Sequence, residues 1–150
     1  MFVCSWLILI VRLGELAAQS PVLWTGTWML DVVKSAGPAA MPYRRGSRTI
    51  AALPDGTVTI VDDLVRIRGG VLHTEWTGKF DGLDYQVQGV EVVLTNAIRC
   101  VEERSCELVQ KLDGRVIARV RLELSSDGRV LTATSPGNAG AATTVYRKAG

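Results

Sequence analysis

"GTWMLDVVKS", Gly26 to Ser35, alternates large apolar and other residues with a period of two. Trp28, Leu30 and Val32 fall on one side, and Met29, Asp31 and Val33 on the other. That is the pattern of a strand with one dry face, and Trp28 sets its phase. The same period recurs downstream. Leu72, Thr74, Trp76, Gly78 and Phe80 share a face, opposite His73, Glu75, Thr77 and Lys79. Val116, Ala118, Val120, Leu122 and Leu124 stand opposite Arg115, Ile117, Arg119, Arg121 and Glu123. From residue 20 onward, no stretch keeps a helical period for more than about two turns.

Turn signals separate these segments. Asp-Gly occurs at Asp55-Gly56, Asp81-Gly82, Asp113-Gly114 and Asp127-Gly128, and "RGG" and "SPGNAG" add two further breaks. Asp-Gly supplies the positive φ that tight hairpins need. The pattern predicts nine or ten antiparallel strands, near 22–34, 46–53, 57–68, 71–80, 83–88, 90–98, 104–112, 114–125, 129–135 and 142–148. A flat meander of that many strands would expose two edges, and closing it into an up-and-down barrel removes them. The alternative, a sandwich, calls for longer crossovers. The fold class expected is therefore all-β, an antiparallel barrel of eight to ten strands. The long irregular stretch "SAGPAAMPYRRGS", residues 35–47, would lie across one open end as a lid, or be a plain connection.

The N-terminus reads differently. "MFVCSWLILIV" is an apolar run followed by small residues up to "LAAQS". It is too short for a bilayer span of about 20 residues. It fits a signal-peptide core, with cleavage after Ala18 or Gln19, although no Lys or Arg precedes the run. The division expected is a signal peptide at 1–19 and one domain at 20–150, with export to the periplasm or the extracellular space. Cys4 lacks the small residue that a lipid-acylation site wants, so no stable membrane anchor is expected. A buried first strand or an uncleaved anchor is the competing reading.

The net charge is +2, and Arg44-Arg45 is the longest basic run. Nucleic-acid binding has little support. Cys100 and Cys106 in "RCVEERSC" would face each other across a hairpin centred on Glu103, a disulfide candidate in an exported chain. Free thiols or a metal pair are the alternatives. With His73 the only histidine, no metal or other cofactor site is expected.

Gly26-Thr27-Trp28 at the head of the first strand resembles the Gly-x-Trp motif of lipocalins. "GTWMLD" and the final "TTVYRK" are similar to the first and last strands of fatty-acid-binding proteins. The "GTWMLDVVKS" opening, with "DGLDYQVQG" at 81–89, resembles bacterial exported lipocalin-like proteins over roughly residues 22–148. The resemblance implies a calycin barrel with a lumen. Trp28 would then be a structural plug for one end of the barrel, with Gly26 letting the backbone pass close to its ring. The chain departs from the fatty-acid-binding pattern in two ways. It has no helix pair after the first strand. Its last strand reads Thr144-Val145-Tyr146 where that family has Arg-x-Tyr. It also lacks the Thr-Asp-Tyr motif of lipocalins.

Leu72, Trp76, Phe80 and Tyr146 are the lumen candidates for a small apolar ligand. "TVTIVDDLVRIR", residues 57–68, is the anomaly: its apolar phase flips at Asp62-Asp63. A β-bulge there would return the apolar residues inward, and is the preferred reading, since a lumen charge needs a partner. Without a bulge, Asp62 or Arg66 faces the lumen, and Arg66 becomes the leading anion-binding candidate. Arg115, Arg119 and Arg121 read as a solvated outer face. His73 with Glu75 reads as a surface pair, and no Ser-His-Asp set stands out. Three functional readings stay open. The first is an exported binding module for a small apolar or amphipathic ligand. The second is a lipocalin-fold enzyme, an isomerase or cyclase using lumen polar groups. The third is a packed barrel that binds another protein.

Overall fold

The Asp-Gly steps do what their backbone freedom allows. Asp113 (φ 47°) and Gly114 (φ 80°) both take the left-handed region and close a two-residue hairpin between neighbouring strands, the geometry that matches strand twist. Asp113 is the one non-glycine with positive φ among the described residues. At Asp127, the carboxylate accepts from the Arg129 amide (3.1 Å) and the Ser125 hydroxyl, which holds that turn. Asp81-Gly82 behaves differently. Asp81 forms an isolated bridge with Arg99, and the Gly82 amide donates to the Ile98 carbonyl (2.9 Å), so this step hugs another strand instead of making a tight hairpin.

The computed structural model describes residues 20–39 and 41–150. The signal-peptide reading of residues 1–19 falls outside them. Ten strands follow a short 3-10 helix, Pro21–Trp24: β1 Gly26–Leu30, β2 Tyr43–Ala52, β3 Val58–Arg66, β4 Val71–Gly78, β5 Tyr85–Gln88, β6 Leu94–Glu102, β7 Ser105–Leu112, β8 Arg115–Leu124, β9 Val130–Ser135 and β10 Ala142–Lys148. Each pairs antiparallel with its sequence neighbours, and β1 pairs with β10 to close the barrel. The all-β up-and-down barrel expected from the sequence is the fold observed. Pairing is long from β2 to β4, from β6 to β8 and between β9 and β10. It is thin at β5, which makes two residue pairs with β4 and two with β6. No helix among the described residues is long and apolar enough to cross a membrane.

Three segments differ from the sequence reading. The sixth strand, expected at 90–98, is β6 at Leu94–Glu102. The first strand is expected to start at residue 22. Instead Pro21, whose missing amide costs nothing at a helix start, begins the 3-10 turn, and the Ser20 side chain caps it. At the other end of β1, Val32 does not continue the inward phase, because residues 31–34 form a turn. The Asp31 carboxylate accepts from the Lys34 amide (3.0 Å), and the Ser35 hydroxyl donates to the Asp31 carbonyl (2.7 Å). The stretch 35–47 is not one loop either. Ala36 and Thr143 exchange backbone bonds, which pins its start to β10, and from Tyr43 on it is β2.

One end of the barrel is filled. Trp28 is fully buried, and its Nε1 donates to the Trp24 carbonyl (3.0 Å). Trp24 is also buried, and its Nε1 donates to the Glu103 carbonyl (3.3 Å) in the β6–β7 turn. Two indoles, not one, therefore occupy this end. Gly26, at φ 132°, leaves room for the aliphatic arm of Lys148: an added Cβ would stand 2.7 Å from its Cε. The Lys148 ammonium then rests 5.2 Å from the Trp28 ring centre, a cation–π contact. At the same end, Cys100 and Cys106 lie opposite each other on β6 and β7 and form a disulfide.

Candidate functional site

Above the tryptophans, the inward phase of β3 runs Val58, Ile60, Asp62, Leu64. Its pairing with β2 and with β4 continues without a break through Asp62 and Asp63. The bulge preferred from the sequence is therefore not there. Bulges lie elsewhere, near Arg44 on β2, Val101 on β6 and Ile117 on β8. The one on β8 shifts the local phase, and Val116, read as inward, is half exposed.

With the phase unbroken, Asp62 points into the lumen, and its partner is Arg48, directly opposite on β2. Arg48 Nε donates to Asp62 Oδ1 (2.7 Å) and Nη2 to Oδ2 (2.9 Å), a bidentate pair with each side chain only 17% exposed. The Arg48 guanidinium also stacks 5.2 Å from the ring centre of Tyr146 on β10. Burial works against the Arg48 charge, but the Asp62 carboxylate outweighs it and holds the guanidinium's pKa above its ordinary value. Burial raises the Tyr146 phenol, with the Arg48 charge pulling the other way.

This pair forms the polar middle of the lumen. Above it, toward the end where β2, β6 and β10 begin, lies a cavity of about 420 Å³. Leu64, Leu72, Val87, Leu108 and Val120 supply apolar wall, and Thr74, Asn96, Gln110 and Thr144 supply uncharged polar groups. Gln110 Nε2 donates to Asn96 Oδ1 (3.1 Å). Below the pair, a pocket of only about 40 Å³ remains among Trp24, Trp76, Phe80 and Ile98.

The candidates from the sequence are thus placed as follows. Leu72 and Tyr146 line the larger cavity. Trp76 and Phe80 line the small pocket beneath it, tilted against each other at 6.4 Å. Trp76 Nε1 donates to the Asn96 carbonyl (3.1 Å), and Tyr85 packs edge-on against Trp76 at 5.7 Å. Arg66 is exposed at the end of β3 and lines neither cavity. The inward arginine is Arg48, which the sequence reading missed. Arg119 and Arg121 are exposed on the outer face, and Arg119 reaches Glu107 (3.2 Å). His73 is also on the outer face, but its partner is Asp63 (2.6 Å) rather than Glu75. The hydrogen bond to Asp63 raises the His73 pKa. Among the described residues, no group of three or more His, Cys, Asp or Glu could hold a metal ion.

No protein-family model matches the chain, and no curated protein sequence matches it. Solved structures do match in fold. The wild-type fluorescent protein UnaG superposes with a TM-score of 0.61 at 16% identity, covering 86% of this chain and 99% of that one. A point mutant of UnaG gives 0.62 at 16% identity, covering 86% and 98%. Echinococcus granulosus fatty-acid-binding protein 1 gives 0.59 at 17% identity, covering 86% and 99%. At these identities the likeness concerns the fold, which is a lipocalin and fatty-acid-binding-protein-like barrel.

Proposed function

We propose that this barrel binds a small apolar or amphipathic molecule in its lumen, outside the cytosol. The observation that carries the reading is the 420 Å³ cavity, which lies in the size range of ligand pockets and combines an apolar wall with a few convergent polar groups. That one fold neighbour is named a fatty-acid-binding protein agrees with a ligand in this place. Export directed by residues 1–19, as in the bacterial lipocalin-like proteins that the sequence resembles, completes the proposal. The Cys100–Cys106 disulfide suits an oxidising compartment.

The enzyme reading requires Asp62 or Arg66 inside. Asp62 is inside, but both of its oxygens are engaged by Arg48, which leaves it poorly placed as a base.

An apolar fluorescent probe tests the binding reading. Its emission should shift to the blue on binding, and Thr144→Trp, which fills the cavity from β10, should abolish the shift. Arg119→Ala on the outer face should leave it intact. A folded protein that binds no probe, or that binds it equally well with Trp at 144, would refute the reading. Export is tested by N-terminal sequencing of protein recovered from its own host: the mature chain should begin at residue 19 or 20.

A further inference from the structure

Resting on the lumen as the ligand site, we propose that the Arg48–Asp62 pair makes this barrel selective for molecules with an uncharged polar end. Asp62 is the residue that turns anions away. Among the described residues lining the two lumen cavities, Arg48 and Asp62 are the only charged ones, so the lumen as a whole is neutral.

The guanidinium's surfaces are already divided. Asp62 takes the edge formed by Nε and Nη2, and the Tyr146 ring takes a face. Both N–H groups on Nη1 and the second on Nη2 remain. A carboxylate that reached Nη1 would share one positive charge with Asp62. Two like charges would then sit at a single desolvated site with a net charge of −1, the arrangement that drives one of them out or forces it to take up a proton. A carbonyl, ester or hydroxyl oxygen accepts the same hydrogen bond without adding charge. The rest of the polar wall agrees, since Thr74, Asn96 and Gln110 offer hydrogen bonds and no charge. Leu64, Leu72 and Leu108 supply the surface for an apolar body. The ligand class is an ester, amide, ketone or alcohol on an apolar skeleton, not a free fatty acid.

The test uses dansyl-labelled undecanoic acid and its methyl ester, which differ only at the head, with the whole folded protein. At about pH 8 the acid is ionised. Wild type should bind the ester at least about tenfold more tightly than the acid. Asp62→Asn frees the Arg48 charge, so the acid should gain about tenfold or more relative to the ester. If wild type binds the acid as tightly as the ester, the selectivity is refuted while the ligand site survives. If the ester is preferred but Asp62→Asn does not improve the acid, Asp62 is not the discriminating residue. If neither probe binds to folded wild type, the ligand reading itself fails, and this proposal falls with it. The wild-type comparison needs no variant, and Asp62→Ser repeats the other arm if the Asn variant does not fold.

Discussion

Replacing Arg48 by Met leaves the Asp62 carboxylate in place and removes its partner. Two charge-assisted hydrogen bonds, 2.7 and 2.9 Å, disappear from a site where both side chains are 17% exposed. At an effective dielectric near 20, opposite charges about 4 Å apart attract by about 4 kcal/mol. Most of that attraction offsets the desolvation of forming the pair, so the pair's net worth is small. Breaking it is different, because the desolvated carboxylate stays behind, and such truncations cost about 3–5 kcal/mol. The remaining exposure admits some water, so we expect the low end, about 3 kcal/mol. Asp62→Leu should cost less, about 2 kcal/mol, because the long arginine arm can turn its head toward the cavity mouth. The double variant Arg48→Met/Asp62→Leu carries no charge into the lumen and should lie within about 1 kcal/mol of wild type. Urea unfolding followed by tryptophan fluorescence measures all four proteins, with equal m-values as the check on two-state behaviour. A double variant as unstable as the two singles summed would refute the reasoning, as would an Arg48→Met cost below about 1 kcal/mol.

Trp28→Ala empties a fully buried indole site and should cost about 3–5 kcal/mol; an unchanged thermal midpoint would show that the ring does not hold the barrel end. Reducing the Cys100–Cys106 bond should cost about 2 kcal/mol, modest because the loop it closes is short. Two alkylatable thiols in the unreduced, unfolded protein would contradict the bond. His73 should titrate above its ordinary value because of its bond to Asp63. The pair's stabilisation is therefore full below the unfolded pKa of about 6.5 and fades as pH rises through the folded midpoint. Proton NMR should show that midpoint falling in Asp63→Asn, and a wild-type midpoint no higher than the variant's would count against the pair.

Most of the barrel was legible because its hairpins are local. The Asp-Gly steps mark turns and the period of two marks faces, and neither depends on distant residues. What failed were features decided by a partner. Asp62 looked like the site of a bulge because a lone inward carboxylate is costly. Its partner lies in "YRRGSRT", where no apolar alternation reveals which arginine points inward. A signal was available: Arg48 and Asp62 are equidistant from Asp55, the centre of the β2–β3 turn, so folding the hairpin on paper sets them opposite each other. The same reflection about Glu103 did find Cys100 and Cys106. Trp24 was missed because "PVLW" continues the apolar pattern of the strand after it, and only the proline at its head argues for a turn. How far a pocket remains empty above a set of aromatic residues depends on side-chain volumes meeting across strands, which periodicity along one strand does not encode.

The thin joins at β5 have a consequence for how the molecule comes apart. A closed ring shows no free strand edge, but this one is held at β5 by two residue pairs on each side, against nine between β2 and β3. Release of that single short strand would uncover unpaired backbone on both β4 and β6 while the disulfide-linked β6–β7 hairpin stayed whole. Amide exchange should accordingly be fastest along Tyr85–Gln88 and the facing halves of its neighbours, and slowest along β2 and β3. Self-association on mild heating should begin at that opening, through strand edges, well before the tryptophan-filled end unfolds.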